Sequence, residues 1–265
     1  MITYRDFVSA FRRLGLDRGN RVLAHASLSA FGEVVGGAEA VVGAMVSTFD
    51  TVIMPAFTTR TMIVPPVGPE NNALDYDAGG QNTAHAEFWD LDLPPDRDVG
   101  AVAHALRLHP EAQRSSHPIL SFSGVGAQKY LEAQTVENPL APIGALADDD
   151  GDVLLLGVDH RVNIAAHYAE QKAGRRQFVR WALTSAGILE CQNYPGCSDG
   201  FYVLNDRLSG VRRRVDLGHG VVESVPLRDL IHIVTGWIRE DPTAMLCDRP
   251  SCRHCQAVRQ SVQVP

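Results

Sequence analysis

Apolar positions along this chain recur at two periods. Between residues 3 and 15, Phe7, Ala10, Phe11 and Leu14 fall three and four apart, the spacing of an amphipathic helix. The segment 20–26, NRVLAHA, is a short apolar run and reads as a strand. A loop carrying Gly36-Gly37 leads into an apolar helix over 38–49, and a second short strand covers 51–57. Strand, helix and strand at this spacing predict a βαβ unit in a mainly parallel sheet.

The pattern then breaks. Residues 58–98 are rich in Pro, Asn, Asp and Gly, with little periodicity. A loop this long inside a domain is usually functional. It reads as a lid or acceptor-binding excursion, or as a structural wrap over a sheet edge. Order resumes with a helix at 99–108, a strand at 119–124, a helix at 126–134 and a strand at 152–158. A helix is predicted over 163–173, a hairpin over 177–192 turning at Ser185-Ala186-Gly187, and a helical stretch over 201–208. One or two strands in 211–225 and a helix over 226–240 precede a cysteine-dense tail, 247–255. No repeat or linker interrupts the chain. Residues 1–265 therefore read as a single α/β domain, with a mainly parallel or mixed central sheet flanked by helices as an α/β/α sandwich.

Composition narrows the partners. The 265 residues are 45% hydrophobic and 21% charged, ordinary for a soluble fold with a sizeable core. A net charge of −7 argues against nucleic acid and favours a cationic or neutral ligand. No apolar run is long enough to span a membrane. The N-terminus, MITYRDFVSAFRRLGL, lacks the basic-then-apolar order of a secretion signal. A cytoplasmic location is expected, where the five cysteines are reduced or metal-bound rather than paired.

Three constellations carry candidate chemistry. The first is Asp152 to Glu170, DVLLLGVDHRVNIAAHYAE, an apolar strand, a polar turn and a helix with His167 and Glu170 on one face. Such strand-to-helix turns aim side chains at a crevice beyond the strand ends. His167 is a candidate general base with a carboxylate beside it, or a core histidine satisfied by Glu170. The second is His25-Ala26-Ser27-Leu28-Ser29 followed by Val34-Val35-Gly36-Gly37, which offers backbone N–H groups to a phosphate at a helix start, or is a tight turn. Arg114 and Ser115, just before a strand, could hold phosphate oxygens or form an ordinary polar turn. The third is cysteine. Cys197, Cys247, Cys252 and Cys255, with His254 as a substitute, have the makings of a tetrahedral zinc site that staples the tail to the body; free thiols remain the alternative.

Taken together, HASLSAFGEVVGG, RSSHPILSFSGVG and DDDGDVLLLGVDHRVNIAAHYAE resemble ordered blocks of the aminoglycoside 3-N-acetyltransferase family, over about residues 5–260. The resemblance implies the antibiotic N-acetyltransferase fold, distinct from the GNAT fold. It also implies coenzyme A contacts from His25, Ser27, Ser29, Val34, Val35, Gly36 and Gly37, and from the Arg114-Ser115 block. His167 matches the family's catalytic base, and Asn163 and Glu170 match its companions. The implied reaction is direct acyl transfer from acetyl-CoA or another acyl-CoA to an amine. Backbone N–H groups near the glycine loop would stabilise the oxyanion. The C-terminal cysteines resemble a family feature as well.

The departures concern the acceptor. The family's Asn-Thr becomes Asn163-Ile164, and a Ser-Pro becomes Ala141-Pro142. The segment Cys191 to Gly196 has no carboxylate, and Arg60 would repel a polycation if it faced the pocket. Carboxylates do occur at Glu70, Asp75, Asp77, Glu87 and Asp90. The expected partner is a small-molecule amine, an aminoglycoside or related amino sugar, with a different biosynthetic amine or a CoA-binding protein without catalysis as alternatives. Neither nucleic acid nor membrane is expected, and a homodimer is left open.

Overall fold

A computed structural model describes residues 1–77 and 83–262. Its centre is three parallel strands: β1 (Arg21–Ala26), β2 (Thr51–Pro55) and β6 (Asp152–Leu156). β2 and β6 are buried along their whole length, and β1 at its middle four residues. Unbroken runs such as VLLL are what a strand covered on both faces requires. Antiparallel pairs extend the sheet on each side. β4 (Gln113–Arg114) and β5 (Phe122–Val125) flank β2, and β9 (Arg213–Leu217) and β10 (Gly220–Pro226) flank β6. The seven-stranded order is β4-β5-β2-β1-β6-β10-β9, a mixed sheet with a parallel heart.

Alternate residues of these strands feed two cores. Val22, Ala24, Val52, Met54, Leu154 and Leu156 pack with α1 (Tyr4–Arg13), α2 (Gly37–Thr48) and α3 (Ala101–Arg107). Leu23, Ile53, Val153 and Leu155 pack on the other face with α4 (Gln128–Leu131), α5 (Ala141–Asp148), α6 (Ile164–Lys172), α7 (Leu204–Arg207) and α8 (Leu227–Glu240). Ala165, Ala166 and Ala169 let α6 lie close to Leu230, Val234 and Ile238 of α8, which fixes the height of His167 above the sheet. Because α2 lies on one face and α5 on the other, the chain's winding switches direction at β1. Open α/β sheets bind ligands at such a switch, beyond the carboxyl ends of the strands.

Several elements differ from their expected bounds. The predicted helix 126–134 shrinks to Gln128–Leu131, and the strand 119–124 begins at Phe122 because Ser115 and His117 fold the preceding turn. The helix Ala141–Asp148 was not foreseen; its Pro142 falls in the first turn, where a missing N–H costs nothing. Nor was α9 (Arg253–Val262), which carries the last cysteine and packs Ala257 and Val258 against Phe178. The predicted hairpin is β7 (Phe178–Thr184) with β8 (Gly187–Tyr194), and it forms a second, three-stranded sheet with β3 (Met62–Ile63). Residues 58–98 thus contribute β3, and Trp89 bridges Thr184, so the segment runs along this second sheet; residues 78–82 of it lie outside the described residues. No helix among the described residues is long and apolar enough to cross a membrane.

Candidate active site

A cavity of about 780 Å³ opens at the carboxyl ends of the parallel strands. His25, Ala26 and Ser27 come from β1 and the turn after it, Met54 and Pro55 from β2, and Val158 from the loop after β6. Its size is that of a site for a cofactor-sized ligand. Two glycines shape it. Gly157, the residue after β6 and just behind the lining, turns at φ +67, where a Cβ would meet that of Ala30 at 2.5 Å. Gly100 lies in the lining at φ +88, with the Ala26 carbonyl 3.0 Å from where a Cβ would sit. Both turns need the left-handed region and close backbone approach that glycine allows.

α6 begins where Asn163 Oδ1 accepts a hydrogen bond from the Ala165 N–H at 3.1 Å. This cap starts the helix directly beneath the cavity and puts Ile164 and His167, three apart, on the lining face. His167 Nδ1–H donates to Glu170 Oε2 at 2.6 Å. Glu170 Oε1 accepts from Arg175 Nη1 at 2.7 Å, and Arg175 Nη2 donates to the carbonyls of Pro242 and Ala244. All three side chains are nearly inaccessible. Burial would raise the Glu170 carboxyl, but His167 and Arg175 outweigh it and hold it below the usual carboxylate range. The Nε2 of His167 has no protein partner among the described residues, and the ring rests against Phe201 at 4.6 Å between centroids. A carboxylate-oriented imidazole with a free Nε2 in a largely apolar cavity can take a proton from a bound ligand.

A second chain lies behind the first. Asn163 Nδ2 donates to His160 Nδ1 at 3.0 Å, and His160 Nε2–H donates to Glu223 at 3.1 Å. Glu223 also accepts from Arg212 at 3.0 Å. Burial pushes the Glu223 carboxyl up, and His160 and Arg212 bring it below its ordinary value. His25 belongs to the cavity wall and accepts a hydrogen bond at Nε2 from the Ile164 N–H at 3.4 Å. Burial, and then the neighbouring His160, push its pKa down to about 3.

The expected residues separate into groups. His25, Ser27, Ser29 and His167 line the cavity. Glu170 and Asn163 lie one layer beneath, as the partner of His167 and the cap of its helix. Val34, Val35, Gly36 and Gly37 approach the start of α2 outside the lining, with Val34 bridged to Ile2. Arg114 and Ser115 are also outside it. The Arg114 guanidinium is occupied by the carbonyls of Leu91, Leu93 and Ala56 and by Ser121, and Ser115 Oγ accepts from the Phe122 N–H. Arg60 does not line the cavity; it is held by Glu87 and Asp96. The loop carboxylates Glu70, Asp75, Asp77, Glu87 and Asp90 are absent from the lining, while Asp96 and Asp98 are in it. These two were passed over because they close a long segment without periodicity. Their position just ahead of Gly100 and a helix was the available signal. Tyr194 and Ser198 complete the wall on the hairpin side, and burial raises the Tyr194 phenol.

The sulfur atoms of Cys197, Cys247, Cys252 and Cys255 lie within 4.8 Å of one another. Cys197 Sγ accepts from the Asp199 N–H at 3.4 Å. His254 is not part of the cluster: its Nε2 accepts from Arg180 at 2.8 Å and its ring meets Phe178 edge-on. Cys191 is buried elsewhere, beside Ile119 and Leu120.

Comparisons with known proteins bear on the family and the fold. A family model described as aminoglycoside 3-N-acetyltransferase matches residues 23–239. A prophage-derived aminoglycoside N(3')-acetyltransferase-like protein of Bacillus subtilis (strain 168) is 30% identical over 196 residues, 67% of this chain and 68% of the relative. The apoenzyme structure of aminoglycoside acetyltransferase AAC(3)-IVa matches with a TM-score of 0.78 at 22% identity, over 98% of each chain. A structure described as AAC-IIIb binary with CoASH matches with a TM-score of 0.72 at 20% identity, over 90% of this chain and 96% of the other. Fold, site and relatives converge on one class of enzyme, the N-acyltransferases. Within it, the chain belongs to the aminoglycoside 3-N-acetyltransferase family.

Proposed function

We propose that the protein transfers an acyl group, acetyl in the first instance, directly from coenzyme A to an amine of an aminoglycoside or related amino sugar, with His167 as general base. The observation that carries this reading is the buried His167–Glu170–Arg175 chain ending in a free Nε2 on the cavity wall. A free alkylammonium has a pKa of about 10.4, so an amine must lose a proton before or as it attacks. His167 Nε2 accepts that proton. Glu170 fixes the ring tautomer and stabilises the imidazolium, and Arg175 keeps Glu170 ionised. The thioester end of the cofactor lies against His25, Ser27 and Ser29, and its nucleotide end runs towards Val34, Val35, Gly36 and Gly37. The related structure with CoASH supports a CoA site in this fold. Asp98 in the lining supports a cationic acceptor; Asp96, also in the lining, is already paired with Arg60, which for that reason does not oppose one. Reaction in the cytoplasm, where acyl-CoA is available, is consistent with this chemistry.

The cysteine cluster fits structural zinc. Tetrahedral Zn–S bonds of about 2.3 Å place sulfurs about 3.8 Å apart, a contraction the cluster can make with small side-chain shifts. Four thiolates leave no open position, so the metal would hold the tail and take no part in the chemistry. Metal analysis of the purified protein should find about one zinc per chain. Dialysis against a chelator should lower thermal stability; free titration of all five thiols in metal-free, fully stable protein would sink the assignment.

The function is tested by thiol release from acetyl-CoA with a panel of aminoglycosides and simple amino sugars. His167→Ala should reduce kcat by about 10² to 10⁴ while CoA binding persists. Full turnover in that variant would remove His167 as the base.

A further inference from the structure

We propose that His25 is a second catalytic residue, whose Nδ1–H donates a hydrogen bond to the carbonyl oxygen of the acyl thioester and holds the negative charge that gathers there. The inference rests on the acyl-transfer reading above and adds to it the group that receives the oxyanion.

The argument starts from position. His25 is the last but one residue of β1, the strand at which the winding of the sheet switches direction, and it lines the cavity with His167. Its ring is held by one contact: Nε2 accepts the Ile164 N–H at the start of α6. A ring nitrogen that accepts cannot carry the proton. The neutral ring therefore carries its hydrogen on Nδ1. Nδ1 has no partner among the described residues, and it is not one of the sealed, unsatisfied buried atoms. The space beside it is the cavity. Burial keeps the ring neutral throughout the physiological range, so it does not compete with His167 for the substrate's proton.

The same backbone segment locks both rings. Asn163 caps α6, Ile164 N–H fixes the tautomer of His25, and His167 follows one turn later. A fixed dipole of this kind needs no reorganisation as charge develops. In the reaction the amine nitrogen bonds to the thioester carbon, and the carbonyl π pair moves to oxygen, where His25 Nδ1–H receives it. The amine proton passes to His167 Nε2. The oxygen pair then re-forms the carbonyl, the C–S bond breaks, and the departing thiolate takes the proton from His167. The products are the amide and CoASH.

Two substitutions separate this role from a structural one. In His25→Gln the side-chain oxygen can still accept the Ile164 N–H, but no donor remains at the Nδ1 position. In His25→Asn the amide NH2 replaces the Nδ1 donor and the Ile164 contact is lost. The thiol-release assay should give a kcat about 10² to 10³ lower for His25→Gln and within about tenfold of the parent for His25→Asn. CoASH lacks the acyl carbonyl, so its affinity by calorimetry should change far less than kcat in both. The reverse order, or a loss confined to CoA affinity, would overturn the proposal. Should His25→Gln not fold, 15N NMR of histidine-labelled parent protein decides: Nδ1 must carry the hydrogen and Nε2 must not, and the other tautomer overturns it. Absence of acetyl-CoA binding to the parent protein would instead remove the acyl-transfer reading itself.

Discussion

His25 and His167 face one cavity, and they differ in what holds the ring nitrogen turned away from it. Behind His167 stands a carboxylate, itself anchored by Arg175. Behind His25 stands a backbone N–H. A carboxylate stabilises the protonated ring and makes the free nitrogen an acceptor. An N–H excludes the proton from its own side and makes the free nitrogen a donor. In the proposed reaction the same side chain serves as a base or as a hydrogen-bond donor according to its partner, and acyl transfer to an amine gains from both.

The widest predicted difference between the two centres is in stability after loss of the rear partner. Glu170→Ala leaves the Arg175 guanidinium buried without its carboxylate, and it should cost about 3–5 kcal/mol in urea denaturation at pH 7. The rear partner of His25 is a backbone N–H, which carries no charge, so nothing comparable is expected there. A loss under about 1 kcal/mol in Glu170→Ala would show that the chain behind His167 is not strongly coupled to folding.

A pH titration separates the centres by range: both lose stability on acidification, the buried histidines below about 6.5 and Glu170 only below the ordinary carboxylate range. His25 and His117 have folded pKa values pushed down to about 3 and about 4 by burial, against an ordinary 6.5. The unfolded chain therefore binds more protons between those values, and stability should fall as pH drops below about 6.5 and stay level above it. The slope is on the order of 1.4 kcal/mol per pH unit for each buried histidine. Glu170, lowered in the fold, adds stability above the ordinary carboxylate range and loses it as pH falls through its folded value. Denaturation midpoints between pH 4 and 8 check the histidines, and an extension below pH 4 checks Glu170; a stability that rises on acidification would contradict the neutral state of His25.

The smallest expected effect sharpens the acceptor side. Ile164 lies in the lining, one turn from His167, where the family block has a threonine. Ile164→Thr should change KM for an amino-sugar acceptor by less than about tenfold and leave CoA affinity unaltered. A large change in kcat instead would place this side chain against the reacting nitrogen.

Much of this was legible in the sequence. The runs VLAHA and VLLLG announced buried strands because a strand covered on both faces has no polar side to show. The three-residue spacing of His167 and Glu170 placed both on one helical face, and the order of the blocks identified the family. Other features were not legible. Arg175 lies beyond the reach of helical periodicity and returns to Glu170 only because the chain reverses after Lys172. Asp96 and Asp98 enter the cavity from the end of a segment with no regular pattern. Arg114 looked available for phosphate, yet its donors are occupied by carbonyls from two distant segments.

The sequence by itself determined the α/β class, the helical face that carries His167 and Glu170, and the family. Local periodicity and short-range spacing are encoded in neighbouring residues. The tertiary structure decided which groups meet across the sheet. It brought the Ile164 N–H to His25, which lies 139 residues away along the chain, and gathered the four cysteine sulfurs into one cluster. Contacts of that kind depend on how helices pack over strands, and no local pattern specifies the nitrogen that will be left free to act.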